Sequence, residues 1–213
     1  MNKRTYLASV FALLFLVSPA ARADYVFDGW DAGTVDGWSP ATGEATLEAP
    51  LTGGFSGGYL NSTEPVFTFG IVGALNYGPE YTGDFHTHGF VRIQVAVKFL
   101  IGSFLSSYVQ VRYMDSGHNG WQLPLNADFD DPDWQLLFFD FDPAWTDQQA
   151  EAAGWVQEVA SPDFATTMTD VYTIGIKATG TGTLSMGIDH FSLQDPSTPT
   201  VDRTWGAVKA LYR

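Results

Sequence analysis

Apolar and polar residues alternate with a period of two over most of this chain, and this pattern constrains its fold more than any other feature. From Val91 to Phe99 every odd position is apolar, and most even positions are polar. A period of two places successive side chains on opposite faces of a β-strand. Tyr108 to Tyr113 repeats the alternation, and glycine-rich segments separate such stretches. The sequence therefore predicts a protein built mainly of strands.

The same pattern divides the chain into short strands and two short helices. Thr146 is a candidate N-cap for a helix over 147–153 that Gly154 ends, and Ser161 starts a helical turn running to about Thr169. So little helix predicts an all-β fold, a two-sheet antiparallel β-sandwich of the jelly-roll, galactose-binding-like type. The predicted strands span residues 25–28, 45–48, 58–62, 66–71, 91–99, 108–113, 121–125, 134–141, 171–178 and 184–193.

The first 23 residues have the organisation of a secretory signal peptide. Lys3 and Arg4 precede an apolar run from Leu7 to Val17, and small residues follow at 21–23. This run of 11 residues is shorter than the roughly 20 that cross a bilayer, so no transmembrane segment is expected. The mature protein is predicted to begin near Asp24 and to be secreted, periplasmic or at the cell surface.

The mature chain is strongly acidic and contains no cysteine. Without residues 1–23 it holds seven basic residues against 24 acidic ones, a formal charge of −17. Such a surface repels phosphate groups, so no nucleic acid partner is expected. The absence of cysteine excludes thiol catalysis and thiolate metal sites, which leaves oxygen-rich metal sites.

The composition changes after Leu193. Residues 194–203 form a polar linker that contains proline, and residues 204–213 place Trp205, Val208, Leu211 and Tyr212 at helical spacing. The sequence therefore divides into a signal peptide (1–23), a domain (24–193), the linker and a C-terminal tail (204–213).

Several local motifs together resemble the laminin IV type A, or laminin B, family and the carbohydrate-binding jelly rolls around it. The resemblance covers about residues 24–193 and implies an extracellular jelly-roll module. The motifs are Phe27-Asp28-Gly29, Asp36-Gly37-Trp38, Gly57-Gly58-Tyr59-Leu60, Trp134 to Asp142, Met168 to Ile176, and Gly187 to Leu193.

The tail from Thr204 to Arg213 is similar to a signature found at the C-terminus of secreted bacterial proteins. This resemblance implies an exported protein of a bacterium of the Gram-negative type, whose tail is read by a sorting or anchoring partner. The alternative is a short helix that packs back on the domain.

The jelly-roll resemblance also implies one structural calcium ion. In related jelly rolls an aspartate at the position of Asp189 ligates calcium together with acids and carbonyls of the first strand and its following loop. The available acids here are Asp28, Asp31 and Glu48, and calcium prefers roughly six to eight oxygen ligands. The alternative is that Asp189 hydrogen-bonds a turn and that the other acids are solvated.

Two further groups are candidate metal ligands. His86 and His88 are predicted to share one face of an extended segment, where Asp84 or His118 would complete a zinc or copper site. The segment from Asp115 to Gly120 has oxygen ligands at the spacing of half a calcium loop. A hairpin turn explains the same segment, because Asn-Gly favours turns, and surface exposure explains the histidines.

Paired carboxylates are the feature that suggests an enzyme. Asp140 and Asp142 have the alternating spacing at which sandwich hydrolases carry a catalytic acid and a nucleophile or base. Further acids lie between Asp128 and Asp133, where mutual repulsion favours exposure to water. No nucleophile-elbow, P-loop or dinucleotide motif is present. The alternative to catalysis is an acidic strand edge.

Aromatic residues flanked by loop residues are the candidate ligand contacts. Flat apolar rings with polar neighbours match the face of a pyranose sugar. The alternative is that these rings fill the core, as most large side chains in a sandwich do. The candidates are Trp30, Tyr81, Trp121 and Trp145.

These observations predict a secreted, non-catalytic extracellular module that binds a glycan or a matrix component. Two alternatives stay open. One is a glycan-active β-sandwich hydrolase or lyase that uses Asp140 and Asp142. The other is a structural envelope or matrix protein without a small ligand.

Overall fold

The computed structural model describes residues 25–65, 68–114 and 119–195. The strands in these ranges are β1 Tyr25–Asp28, β2 Trp38–Pro40, β3 Thr46–Glu48, β4 Leu60–Pro65, β5 Gly70–Asn76, β6 Arg92–Tyr113, β7 Gly120–Pro124, β8 Gln135–Asp140, β9 Val156–Gln157 and β10 Val171–Gln194. The helices are α1 Phe85–His88, α2 Asp147–Ala152 and α3 Phe164–Thr169.

Two long strands, β6 and β10, connect the two sheets of the sandwich. They pair antiparallel along almost their whole length. Sheet A has the order β2-β5-β10-β6-β7-β9 and contains residues 171–181 of β10 and 103–113 of β6. In sheet B, residues 183–194 of β10 lie between β1 and β4 on one side and residues 92–101 of β6 on the other. β3 extends this sheet beside β4, and β8 extends it beside β6.

Glycines allow both long strands to cross from one sheet to the other. Pairing is irregular between Thr179 and Ser185, and the backbone adopts φ angles of 117° at Gly102 and 80° at Gly182. These angles are unfavourable for residues with a Cβ atom. A Cβ on Gly102 would also lie 2.5 Å from Leu184 Cδ2. The crossing therefore requires glycine in both strands.

The core lies between the sheets and follows the predicted alternation. Val109 and Val111 of sheet A and Val95 and Val97 of sheet B are fully buried. Each such aliphatic side chain contributes about 1.5–3 kcal/mol of burial free energy. The fold is the predicted antiparallel β-sandwich.

Both predicted helices are present. α2 begins after Thr146, which forms a capping box with Gln149, and α3 begins after Asp163, whose side chain accepts from Thr166 N. α1 has no counterpart in the prediction. It begins after Asp84 and ends at Gly89.

Strand boundaries differ from the prediction where separate short strands merge. Residues 91–99 and 108–113 belong to the single strand β6, and residues 171–178 and 184–193 belong to β10, which continues through Gln194. The predicted hairpin between β6 and β7 is confirmed, because Val109 pairs with Leu123. β2 and β9 are additional short strands.

Some predictions fall outside the described residues. These are the signal peptide (1–23), the tail (204–213) and most of the linker, together with residues 115–118 of the candidate calcium loop. Within the described part of the chain, no helix is long and apolar enough to span a membrane.

Candidate functional site

Cross-strand register places a group of polar side chains on the outward face of sheet A. In one row, Gln110 pairs with Gly175 on one side and with Gln122 on the other. Two residues further along, Lys177 pairs with Tyr108. The strand positions between these rows point into the core, so the polar side chains point outward. Arg112, on the same face of β6, and Glu158, which contacts both glutamines, complete this group. It is termed the polar face and consists of Tyr108, Gln110, Arg112, Gln122, Glu158 and Lys177.

Glu158, which follows β9, joins the polar face by hydrogen bonds. Its Oε1 accepts from Gln110 Nε2 and from Gln122 Nε2, both at 2.7 Å, and its Oε2 lies 3.6 Å from Arg112 Nε. Gln110 is 1% exposed. Among the described residues Gln110 Oε1 is a buried acceptor without a hydrogen-bond partner, and Glu158 Oε2 is held in the ion pair with Arg112. A carboxylate, a guanidinium and two amides that meet on one outward face of a sheet form a group that can bind a polar ligand.

Lys177 places a buried positive charge in the polar face. It is 5% exposed, and its ammonium group makes no hydrogen bond or ion pair with the residues that the structure describes. Burial lowers the pKa of Lys177 to about 8, with a further contribution from Arg112 and an opposing one from Glu158. Two cationic side chains therefore share one carboxylate.

Two tyrosines lie at one end of the polar face. Tyr77 directly follows β5, and Tyr172 precedes Thr173, the cross-strand neighbour of Arg112. Their rings are 5.4 Å apart in a T-shaped arrangement, and the two side chains are 44% and 40% exposed. An exposed aromatic pair offers flat apolar surface against which a sugar ring can pack.

Three of the four aromatic residues predicted to contact a ligand are core residues. Trp30 and Tyr81 are 2% exposed, and Trp121 is fully buried. Trp121 packs edge-on against Phe164, and its indole N–H donates to Pro162 O at 3.2 Å. The prediction is wrong for these three residues, because their rings lie inside the sandwich, where a glycan cannot contact them.

Trp145 is half-buried and lines an open depression of about 500 Å³. Its ring lies tilted against Phe164. Two acids that line the depression, Asp147 and Asp163, already accept hydrogen bonds from backbone N–H groups of Phe164 and Thr166. Both acids therefore already have partners within the described part of the chain, and Trp145 as a ligand contact stays a prediction.

Two of the four acids predicted to bind calcium have other roles. Asp28 accepts hydrogen bonds from Trp38 Nε1 at 2.6 Å and from the Tyr81 hydroxyl, and burial raises its pKa. Glu48 is exposed on β3. Among the described residues no group of three acids or histidines is placed to hold a metal ion. The predicted set of four is therefore wrong, because Asp28 supports the aromatic core and Glu48 faces solvent.

Asp31 and Asp189 do face the same glycine-rich loop, residues 53–58. Asp31 accepts from Gly58 N at 2.8 Å, and Asp189 accepts from Ser56 N at 3.2 Å. Burial raises the pKa of Asp189 to about 6, and the nearby charge of Asp31 acts in the same direction. Two neighbouring carboxylates can supply some of the oxygen ligands that a calcium ion needs. Calcium binding at this pair stays a prediction.

Thermal melting tests calcium binding at Asp31 and Asp189. We expect calcium to raise the melting temperature by a few degrees relative to a chelator, because a ligand of the folded state stabilises it. Asp31→Asn should remove this increase, whereas Glu48→Gln, the matched control, should retain it. Equal melting temperatures of the wild-type protein in calcium and in chelator would contradict the prediction.

The paired histidines lie on a helix and not on an extended segment. His86 and His88 belong to α1, and Asp84 is its N-cap and accepts from the backbone N–H groups of His86 and Thr87. Side chains two residues apart on a helix point to different sides of its axis. The predicted zinc or copper pair is therefore wrong, and His118 lies outside the described residues.

The predicted catalytic carboxylates are engaged with other groups. Asp140 ends β8 and binds Arg92 through both oxygens, at 2.5 and 3.0 Å, which lowers the pKa of Asp140. A catalytic acid requires a raised pKa. Asp142 lies beyond the strand and accepts from Ala144 N at 2.9 Å in a turn. The predicted alternation along one strand is wrong, so the hydrolase alternative loses the residues on which it depends.

The polar face is the feature that reasoning from sequence missed. Tyr108, Gln110 and Arg112 alternate with core residues, which is typical of any strand with one solvated face. One signal was present. Within the described residues there are four basic side chains, and Arg112 and Lys177 both fall at outward positions of predicted strands. Their proximity depends on the pairing of β6 with β10, which the sequence does not show.

Comparisons with solved structures show the fold of carbohydrate-binding modules. The family 11 carbohydrate-binding module from Clostridium thermocellum, solved in complex with a β-1,3-1,4-mixed-linked tetrasaccharide, matches with a TM-score of 0.52 and 14% identity over 80% of this chain and 95% of its own. The C-terminal family 22 carbohydrate-binding module of Clostridium thermocellum Xyn10B matches with a TM-score of 0.51 and 16% identity over 82% of this chain and 96% of its own.

An exo-β-agarase is also similar, with a TM-score of 0.55 and 11% identity over 78% of this chain and 25% of the agarase. No protein-family model matches the chain, and no curated protein matches it. The resemblance to the laminin B family therefore stays a prediction. The structural likenesses confirm that this chain has the jelly-roll β-sandwich fold of carbohydrate-binding modules.

Proposed function

We propose that this chain is a non-catalytic module that binds a glycan at the polar face. The observation that carries the proposal is the network around Glu158, whose carboxylate accepts from the Gln110 and Gln122 amides and is paired with Arg112 on one outward face of the sheet. Sugar hydroxyl groups are hydrogen-bond donors, and amide and carboxylate oxygens are their acceptors. Tyr77 and Tyr172 add an apolar surface beside these polar groups, a combination found in ligand sites.

The solved structures of similar fold support this function. One of them holds a bound tetrasaccharide, and another was studied for ligand binding in its cleft. A fold alone does not define a function, so the assignment here depends on the side chains of the polar face.

We further propose that the module acts outside the cytoplasm. The signal-peptide pattern of residues 1–23 supports export. The tail from Thr204 to Arg213 supports a sorting or anchoring partner through its similarity to tails of secreted bacterial proteins.

Glu158→Gln is expected to weaken glycan binding by about tenfold or more. The amide keeps one oxygen that can accept from Gln110 and Gln122, but it places an NH₂ group in the position of Oε2, beside Arg112 Nε, so the ion pair and one acceptor for a sugar hydroxyl are lost. Affinity electrophoresis against a panel of soluble β-glucans, xylans and galactans measures the effect. Glu151→Gln, the same change at an exposed position of α2, is the matched control and should bind as the wild-type protein does.

Trp145→Ala distinguishes the polar face from the depression beside α2. We expect its glycan affinity to stay within about twofold of the wild-type value, because a lost ligand contact of this kind would cost much more. Loss of binding in Trp145→Ala with normal binding in Glu158→Gln would place the ligand in the depression. Absence of binding to every glycan would favour a structural protein, and release of reducing sugars would favour a hydrolase.

A further inference from the structure

We infer that the glycan bound at the polar face carries an anionic group, a carboxylate or a sulfate, which Lys177 and Arg112 contact. This inference rests on the glycan binding proposed above and adds the chemical class of the ligand.

The first step is the distribution of positive charge. The chain is acidic overall, with 24 acidic against 10 basic residues. Among the described residues the basic side chains are Arg92, Lys98, Arg112 and Lys177. Arg92 is bound to Asp140. Lys98 lies on sheet B opposite Gly187. The remaining two lie on the same outward face, with Glu158 as the carboxylate between them.

The second step is the burial of Lys177. An ammonium group that is removed from water without an ion pair is costly. The groups that face Lys177 are Arg112 and Tyr108 from β6, Glu158 from the segment after β9, and Gly73 from β5. Burial raises the pKa of Tyr108, so its hydroxyl stays neutral. Glu158 is the one carboxylate among these groups and is also paired with Arg112, so positive charge is in excess, and an anionic ligand would balance it.

The third step combines the cations with the other polar groups of the polar face. Two amides and a carboxylate lie beside the cations, and hydroxyl groups of a sugar can donate to such groups, which a sulfate ion alone cannot. Lys177 requires an anion, which a neutral glycan lacks. An acidic saccharide supplies hydroxyl donors and a negative charge in one molecule. The two requirements of the polar face are therefore met together by this class of ligand.

Calorimetric titration with matched pairs of probes tests the inference. One pair is an oligogalacturonate and its methyl ester, which has the same rings without the charge. The other pair is a sulfated galactan oligosaccharide and its unsulfated counterpart. Oligomers from alginate and from glucuronoxylan are further probes that carry carboxylates. We expect at least one acidic probe to bind about tenfold or more tightly than its neutral partner, with a preference that decreases as salt increases.

Variants and a pH series test whether Lys177 contacts the acidic group of the ligand. Lys177→Met should reduce affinity for the acidic probe by about tenfold or more and change affinity for a neutral probe by less than about twofold. Lys98→Met, the same change on sheet B, should leave both affinities unchanged. In the wild-type protein, raising the pH from 7 to above 9 removes the proton from Lys177, whose pKa is about 8, so affinity for the acidic probe should decrease.

The outcomes separate the two proposals. Equal binding of acidic and neutral probes, with no effect of pH, would overturn the anionic ligand and leave glycan binding intact. Binding of no probe, acidic or neutral, would overturn both. If Lys177→Met does not fold, as circular dichroism would show, the matched probes, their salt dependence and the pH series on the wild-type protein together decide the question.

Discussion

Trp121→Ala is expected to lower the free energy of unfolding by about 3–5 kcal/mol. Trp121 is fully buried, packs against Phe164 and donates its indole N–H to Pro162 O. Its removal leaves a cavity between β7 and α3 and takes away one of two donors to Pro162 O, which also accepts from Gln157 Nε2. For a domain of this size the melting temperature should decrease by roughly 10 °C. Denaturant titration followed by tryptophan fluorescence measures the change.

Two variants show whether this effect comes from packing or from ligand contact. Trp121→Phe should restore much of the stability and should bind glycan normally, because the ring stays inside the sandwich. Trp145→Ala removes a half-buried indole that contacts the same Phe164 and should cost less stability than Trp121→Ala. A Trp121→Ala protein with unchanged stability and weakened binding would contradict the assignment of Trp121 to the core.

Asp189→Ala is expected to lower the free energy of unfolding by about 3 kcal/mol at pH 7.5. Asp189 is fully buried and accepts from the backbone N–H groups of His190 at 2.7 Å and Ser56 at 3.2 Å, with a further bond from Phe55. Without the carboxylate these N–H groups lose their acceptor. The glycine-rich loop 53–58 would also lose one attachment to β10 and keep the other, the contacts of Ser56 and Phe55 with His190. Chemical denaturation and hydrogen exchange of the loop amides measure both effects.

Asp189→Asn is the matched variant for this prediction. It keeps the size of the side chain and one acceptor oxygen, so its loss of stability should lie between those of the wild-type protein and Asp189→Ala. Hydrogen exchange in the core strand residues 107–111 should increase less than in the loop. Unchanged loop protection in Asp189→Ala would show that the loop is held by other contacts.

Features that are set by residues close together in the sequence could be predicted from the sequence. The alternation from Val91 to Phe99 defines one buried face, and this face is buried in β6. Thr146 begins the helix for which it is the predicted cap, and the second helix begins after Asp163, two residues beyond the predicted start at Ser161. These features follow from strand periodicity and from the unsatisfied N–H groups of a helix start, which act over a few residues.

The burial and the partners of individual side chains could not be predicted, because they depend on what packs over each residue. Trp30 and Trp121 are flanked by polar and glycine residues, as exposed binding residues are, yet both rings are buried. Asp28 is a predicted calcium ligand, but it hydrogen-bonds Trp38 and Tyr81. Trp121 and Asp28 lie on strands β7 and β1, and in each case the element that packs over the side chain decided its environment.

The sequence by itself determined that this protein is a strand-rich sandwich with two short helices, because period-two alternation and helix caps act locally. Only the tertiary structure decided where its candidate site lies. Glu158 reaches Gln122 and Gln110 across 36 and 48 residues of sequence, and Lys177 lies beside Tyr108 because β10 pairs with β6. Strand register sets these distances, and register depends on the pairing of whole strands and on the glycines at which they cross between the sheets.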